Sequence, residues 1–376
     1  MKIALISSTF LPATGGAEFV VHSLAQEWAK QGHEVRIFNW LTSNATHPEA
    51  TYSVRRFRLL RGAARVGYHK FPWGWYTRSD LKKQIKEFDP DCMSIHMAYP
   101  TGYYLDGLIP GCPYVITCHG GDLTKFDWGF RQKYEIESVL RSALENCSGA
   151  IAISSFARRL MEEIGVSQDQ IVDIPNGVDL ERFRCASQFS LKSHFNLDQS
   201  KRVILSVGRE HPQKAYAAGI RAFSAVAEKF PEAHYLLVGK GTAANQDLCD
   251  ELNISDRVTF CEGLYGEDLV GVYQQADLFF SPSIWEMMPL VVLEAMAAGR
   301  PAVVTNISGS QDLVRSGENG LVVEAGDIAG MSQALGKLLD DANLRESFSR
   351  SMLESAEGYS WDRISRLYLG ACFGQD

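Results

Sequence analysis

No apolar run in the chain approaches the ~18 residues a bilayer-crossing helix needs, so it is not expected to span a membrane. Its first apolar stretch, Ile3 to Ile6 behind a single lysine, is too short for the hydrophobic region of a secretory signal and reads instead as a first strand. None of the 8 cysteines forms a Cys-x₂₋₄-Cys pair, which argues against a zinc cluster. Most stand beside apolar neighbours, as the reduced core thiols of a cytoplasmic protein do. Cationic excess is absent too: 37 Lys and Arg against 45 Asp and Glu leave a net charge of −8, the wrong balance for a general nucleic-acid binder. With neither low-complexity tracts nor collagen-like periodicity, 45% hydrophobic and 22% charged residues describe a folded globular chain.

A length of 376 residues suits two α/β domains. The pattern agrees, because a short apolar strand followed by a glycine-bearing loop and a helix occurs twice, from Lys2 and again from Arg202. In the first half, Val20, Val21, Leu24 and Trp28 recur at helical spacing after Gly15-Gly16, and Gly32 stops that helix before a strand from Glu34 to Phe38. Further strands are expected at Cys92 to Ile95, Tyr114 to Thr117, Ala150 to Ile153 and Ile171 to Ile174, with helices over Tyr134 to Glu145 and Phe156 to Ile164. The second half alternates likewise through Val203 to Val207, Tyr216 to Lys229, His234 to Val238, Val258 to Phe260, Leu278 to Ser281, Leu290 to Ala298, Ala302 to Thr305 and Leu321 to Val323. Such alternation predicts two doubly wound parallel sheets, each Rossmann-like, with ligands beyond the carboxyl ends of the strands and a cleft between the domains. The boundary is expected in the polar, weakly patterned segment from Arg182 to Ser200, giving domains 1–185 and 186–359.

The most informative segment runs from Ser281 to Pro301 and reads as strand, loop, helix, stop. Pro289 suits a first helical position and Met288 is a poor cap, so the amides of Leu290, Val291 and Val292 are left without a side-chain partner, a vacancy an anion fills. Glu294 is the only charge from Met287 to Ala298. An ionised carboxylate among apolar residues needs donors, and a ribose diol supplies two; the plainer alternative is a solvated glutamate on an exposed face. Glu286 and Glu294 do not suit a glycosidase pair, since eight residues of helix rise about 12 Å and such pairs need roughly 5 to 9.5 Å. Arg209 and Lys214 follow the strand ending at Val207 and can neutralise a diphosphate, or can be an ordinary basic loop.

Taken together these residues resemble the retaining family-4 glycosyltransferases of GT-B fold. The matching pieces are Gly15-Gly16, His119-Gly120, Ile174-Pro175-Asn176-Gly177-Val178-Asp179, Val207-Gly208-Arg209 with Lys214, Val238-Gly239-x-Gly241, Glu286-x₇-Glu294-Ala295-Met296-Ala297-Ala298-Gly299-x-Pro301, Asn319-Gly320-Leu321-Val322 and Ser360-Trp361. The resemblance implies a 1–185 acceptor domain joined by a crossing helix at 360–376, and a 186–359 donor domain. It implies that Glu294 binds the donor ribose, Arg209 and Lys214 the diphosphate, and Glu286 the transferred sugar. Gly15, Gly16, Met288, Pro289 and the amides of Leu290 and Val291 then approach the donor, and His119 sits near the anomeric carbon. It further implies a uridine-linked sugar donor, a saccharide or lipid-linked hydroxyl acceptor in polysaccharide, glycolipid or cell-envelope glycan synthesis, retention of configuration, no metal and no other cofactor. Two departures stand out: Ala215 replaces the glycine usual after the lysine, and Met287-Met288-Pro289 replaces a glycine-aromatic-glycine.

Rival readings are an NAD-dependent oxidoreductase using Gly239-x-Gly241-x-x-Ala244 with Glu262, and a non-catalytic nucleotide-sugar-binding relative. Asp89-Pro90-Asp91 mimics a metal-binding Asp-x-Asp but reads as a turn, and His96 ends a strand as a core or cleft histidine. From Ala50 to Ser79 the chain carries Arg55, Arg56, Arg58, Arg61, Arg65, Lys70 and Arg78, no acids, and the aromatics Phe57, Tyr68, Phe71, Trp73, Trp75 and Tyr76. This stretch is expected to contact the acceptor or an anionic membrane surface on the cytoplasmic face, against the alternative of a solvated face.

Overall fold

The computed structural model describes residues 1–8, 10–11, 15–39, 51–57, 74–125, 131 and 135–374, which divide into two compact units. One unit comprises Met1–Asn176 with Trp361–Asp376, and the other Gly177–Ser360.

In the first unit the parallel strands are β1 (Lys2–Ser7), β2 (Glu34–Asn39), β3 (Ser53–Arg56), β4 (Cys92–His96), β5 (Tyr114–Thr117), β6 (Gly149–Ala152) and β7 (Ile171–Asp173), in the order β3-β2-β1-β4-β5-β6-β7. Ile3, Ala4, Leu5 and Ile6 are fully buried, so β1 reads as an unbroken apolar run, as a strand covered on both faces must. Helix α1 (Gly16–Lys30) buries Val20, Val21, Leu24 and Trp28, the stripe expected from its spacing. Helices α2 (Gly74–Phe88), α3 (Glu137–Glu145) and α4 (Ser155–Glu163) follow, the last capped by Ser154 Oγ on the Ala157 amide at 3.1 Å. The closing helix, Trp361–Phe373, packs on α1, where the Trp28 indole donates to the Ser365 carbonyl at 3.0 Å.

Helix α5 (Leu180–Arg184), capped by Asp179, belongs to the second unit, and the units therefore part at Asn176, ahead of the expected break after residue 185. The reason is packing: Phe183 meets Tyr273 edge to face at 5.7 Å. The second sheet comprises β8 (Arg202–Val207), β9 (Ala233–Val238), β10 (Val258–Cys261), β11 (Leu278–Ser281), β12 (Ala302–Thr305) and β13 (Gly320–Val323), all parallel, in the order β10-β9-β8-β11-β12-β13. Its helices include α6 (Tyr216–Lys229), α7 (Gly266–Gln275), α8 (Leu290–Ala297), α9 (Ile328–Asp340) and α10 (Ala342–Ala356). One core forms where Ile220, Phe223 and Val226 of α6 meet Tyr235, Phe280 and Leu335.

Each sheet reverses its strand order once, between β1 and β4 and between β8 and β11. At such a point the loops leaving the carboxyl ends diverge and leave a crevice. In the second unit those loops are 208–215 and 282–289, the ones that carry Arg209, Lys214 and Glu286. No helix among the described residues is long and apolar enough to cross a membrane.

Candidate functional site

After β8 the chain turns through Gly208 into a short 3₁₀ turn, Pro212–Lys214, and then through Ala215 at φ +48 into α6. A left-handed residue is what the turn demands there, which explains why a glycine is usual at this position and why alanine is strained in it. The turn points Lys214 back over Gly208, so closely that a Cβ on Gly208 would meet Lys214 Cε at 3.0 Å. Lys214 Nζ bonds Glu286 Oε1 at 2.7 Å, and Ser283 Oγ donates to the same oxygen at 3.1 Å. Gln213 Nε2 stands 3.4 Å from the other oxygen. The pair is almost buried, with side-chain exposures of 15% and 9%. Arg209 is exposed and has no ion pair among the described residues.

Helix α8 begins at Leu290, with Pro289 as the cap at φ −76 and ψ 110, one residue earlier than a first helical position. The proline already bends out of the helix because its loop is pinned: a Cβ on Gly309 would fall 2.4 Å from the Met287 carbonyl oxygen. No side chain caps the helix. The Val292 amide turns back to the Pro289 carbonyl at 3.1 Å, so only the first amides, those of Leu290 and Val291, face outward. Met287 and Met288 are buried, and the Met287 carbonyl packs against Gly309. The one half-open side of α8 carries Leu290, Val291 and Glu294, while Val292, Leu293, Ala295 and Met296 are buried.

Glu294 is half-buried, and its donor is Tyr273 of α7, whose hydroxyl reaches Oε2 at 2.7 Å. Burial raises the Glu294 carboxyl above its ordinary range, opposed by the Tyr273 hydrogen bond and by the charges of Arg182 and Lys214. Along the helix axis Glu294 lies four residues beyond Leu290, a rise of about 6 Å, on a scale comparable to the span from a ribose diol to the adjoining diphosphate.

In the first unit, Gly15 precedes α1 without a side-chain cap. Buried Glu18 folds back so far that a Cβ on Gly15 would lie 2.4 Å from its Oε2, and the carboxylate meets the positive end of the helix. His119 follows β5 and is half-buried, with Nε2 2.9 Å from Nδ1 of buried His96.

The model described as "Glycosyltransferase Family 4" matches residues 14–182, and that described as "Glycosyl transferases group 1" matches residues 188–353. The chain is a family-4 glycosyltransferase. It is 28% identical over 381 residues to a D-inositol 3-phosphate glycosyltransferase of Nocardia farcinica, covering 92% of this chain and 82% of that one. It is 27% identical over 376 residues to a phosphatidyl-myo-inositol mannosyltransferase of Mycobacterium leprae, covering 98% and 96%. Among solved structures it resembles Anabaena HepE in complex with UDP, at a TM-score of 0.81 and 18% identity over 100% of both chains. The fold is GT-B, with two Rossmann-like α/β domains.

Family membership overturns the oxidoreductase reading, and the glycosyltransferase gives the supposed dinucleotide fingerprint a different job. Gly239, at φ +151, passes so close to the preceding loop that a Cβ would lie 2.0 Å from the Gly208 oxygen. Gly241 opens only a four-residue turn, Thr242–Asn245, and its amide is already bonded by Glu262 at 2.6 Å. Gly239 lets the β8 and β9 loops run side by side beyond their strands, where the Gly208 and Glu210 amides donate to the carbonyls of Val238 and Lys240, each at 2.8 Å. Asp89-Pro90-Asp91 is likewise a turn before β4, where Asp91 accepts the Lys2 amide at 2.7 Å.

Of the basic aromatic stretch, Arg58, Arg61, Arg65, Lys70, Tyr68, Phe71 and Trp73 lie outside the described residues. Among the described members, Phe57 is core and Arg78 donates to the carbonyls of Tyr103 and Asp106 at 3.0 and 2.7 Å, which removes both from a binding face. Arg55, Arg56 and Trp75 are exposed. Sequence reasoning missed Tyr273, Ser283, Gln213 and Arg182. Only Tyr273 left a signal, as a polar tip directly after the apolar Val270-Gly271-Val272.

Proposed function

We propose that this glycosyltransferase moves a sugar from a uridine-diphosphate donor to an acceptor hydroxyl with retention of configuration and without a metal. The observation that carries the reading is the half-open side of α8, where the uncapped amides of Leu290 and Val291 stand one turn from Glu294, the only charge on the helix. Glu294 would accept the two ribose hydroxyls, and the Leu290 and Val291 amides, Lys214 and Arg209 would hold the diphosphate. Glu286, steered by Ser283 and Gln213, would bond the transferred sugar; Gly15 and Gly16 would admit the donor closely, and His119 would bond the sugar near its anomeric carbon.

In the reaction, the anomeric carbon's bond to the β-phosphate oxygen breaks and its bond to the acceptor oxygen forms. The electron pair leaves on the diphosphate, and the acceptor proton passes to a phosphate oxygen on the same face. Negative charge grows on the leaving group, where the amides and the two cations would gather, so they would bind the transition state more strongly than the donor. With Lys214 drawn toward phosphate, Glu286 exchanges its ion pair for sugar hydroxyls.

Relatives that act on inositol phosphates support a phosphate-bearing or lipid-linked polyol as acceptor, in glycolipid or cell-envelope glycan synthesis in the cytoplasm. Arg55 and Arg56 are candidates to meet that phosphate. The test is a panel of nucleotide sugars in a thermal-shift screen, followed by turnover with and without EDTA. Selective stabilisation by uridine diphosphate sugars and EDTA-resistant transfer support the reading. Donor binding with neither transfer nor slow donor hydrolysis would leave a non-catalytic binder instead.

A further inference from the structure

His96 closes β4 and His119 follows β5, and the sheet brings their rings within 20° of parallel at a centroid distance of 5.2 Å. His96 is fully buried and also lies along Tyr368 of the closing helix, at 6.3 Å and 17°. Its Nδ1 is 2.9 Å from His119 Nε2, and its Nε2 is 3.2 Å from Ser94 Oγ. Asp122 ties the two loops together, accepting the Ala98 amide at 2.7 Å and the Gly120 amide at 3.2 Å, so the histidines keep register.

Hydrogen positions follow from satisfying this row. Ser94 is 1% exposed, and among the described residues His96 Nε2 is the only hydrogen-bond partner of its hydroxyl. A buried hydroxyl without an acceptor costs about 1–3 kcal/mol, so Ser94 donates to His96 Nε2. Both imidazoles are neutral at pH 7, because burial pushes His96 well down and His119 to about 4. His96 therefore carries its proton on Nδ1 and donates it to His119 Nε2. His119 then keeps its own proton on Nδ1, a nitrogen with no partner among the described residues on a half-open ring.

The geometry points to His96 as a positioning residue that, backed by Ser94, holds His119 in the Nδ1–H tautomer and so presents an outward hydrogen-bond donor to the transferred sugar or its leaving phosphate. The inference rests on the reading of His119 as the group that meets the donor sugar, and adds which nitrogen does so and with what polarity. An Nδ1–H group can bond a sugar hydroxyl or a phosphate oxygen; it cannot take the acceptor's proton.

The test combines nitrogen-15 spectroscopy of the ring nitrogens with steady-state kinetics on wild type, His96→Phe, His96→Asn and His119→Ala. Wild-type His119 is expected to be protonated on Nδ1. His96→Phe keeps a flat ring against Tyr368 but removes the donor, so His119 should shift toward the Nε2–H form favoured by free imidazole. Its kcat should fall roughly 10- to 100-fold, as for other partners that fix a ring tautomer, with donor KM changed less than about threefold. His96→Asn, whose amide reaches the Nδ1 position, should restore both the tautomer and most of kcat. Wild-type His119 protonated on Nε2, or an unchanged tautomer and kcat in His96→Phe, would overturn the inference. Full turnover in His119→Ala would instead defeat the reading of His119, while the spectrum would still decide its tautomer.

Discussion

Replacing Glu294 with glutamine separates a ligand-binding acid from a structural one. Gln keeps the size of the side chain and an oxygen for the Tyr273 hydroxyl, now 2.7 Å from Oε2, but it loses the negative charge. Hydrogen bonds to a charged group contribute about 1.5–3 kcal/mol, against about 0.5–1.5 kcal/mol for neutral ones. If the carboxylate takes two ribose hydroxyls, the substitution should weaken uridine diphosphate by roughly 1–3 kcal/mol, about 5- to 150-fold in Kd. Stability should move the other way. Burial raises the folded carboxyl above its unfolded value, so the charged form is disfavoured in the fold. The resulting penalty is absent below the unfolded pKa, grows as pH rises toward the folded one and is complete above it. Glu294→Gln should therefore unfold at an equal or higher temperature at pH 7, with the advantage shrinking on acidification. The assay is titration calorimetry with uridine diphosphate and its 2′,3′-dideoxy analogue, alongside thermal unfolding. Wild type should lose affinity for the dideoxy ligand while the variant loses little, because residue and hydroxyls are coupled. Equal losses for both proteins, or unchanged affinity in the variant, would refute the ribose assignment.

Lys214→Met should reduce kcat/KM at least about 100-fold and also destabilise the fold by about 3 kcal/mol, since Glu286 is left almost buried without its partner. Adding Glu286→Gln should restore the melting temperature without restoring transfer. Ala215→Gly should stabilise by roughly 0.5–1 kcal/mol in urea unfolding, because relief of the left-handed strain at φ +48 exceeds glycine's extra chain entropy. Gly239→Ala, whose Cβ would meet the Gly208 oxygen at 2.0 Å, should cost at least about 2 kcal/mol and weaken donor binding through a displaced Arg209 loop. Acid should unfold the protein earlier than its carboxylates alone require. Burial holds the His119 and His234 imidazoles at about 4, so the unfolded chain binds the extra protons, and the urea midpoint should drop as pH falls from about 6.5 toward 4.

The parallel sheets are legible in the sequence because strands buried on both faces are written as unbroken apolar runs, as at Ile3 to Ile6 and Val203 to Leu205. Strand β3 is not, since exposed Arg55 and Arg56 on an edge strand look like any basic segment. Helices α7, α9 and α10 bury their apolar residues at ordinary spacing but carry no motif that sets them apart. Charged site residues are conspicuous because a lone Glu294 among apolar neighbours needs a reason. Their partners are hidden because strand order, not chain order, brings them together: the reversal between β8 and β11 places Lys214 beside Glu286, and helix packing places Tyr273 beside Glu294. The false fingerprint at Gly239 and Gly241 arises from the tight side-by-side passage of the β8 and β9 loops, since close backbone approach selects glycine whether or not a cofactor is near.

The decisive measurement is a crystal structure of the chain with uridine diphosphate. Both ribose hydroxyls should lie within hydrogen-bond distance of Glu294 and the β-phosphate on the amides of Leu290 and Val291, with Lys214 turned from Glu286 toward it. A nucleotide seated instead on the Gly239 to Gly241 turn, with the Lys214 and Glu286 pair intact, would contradict this assignment.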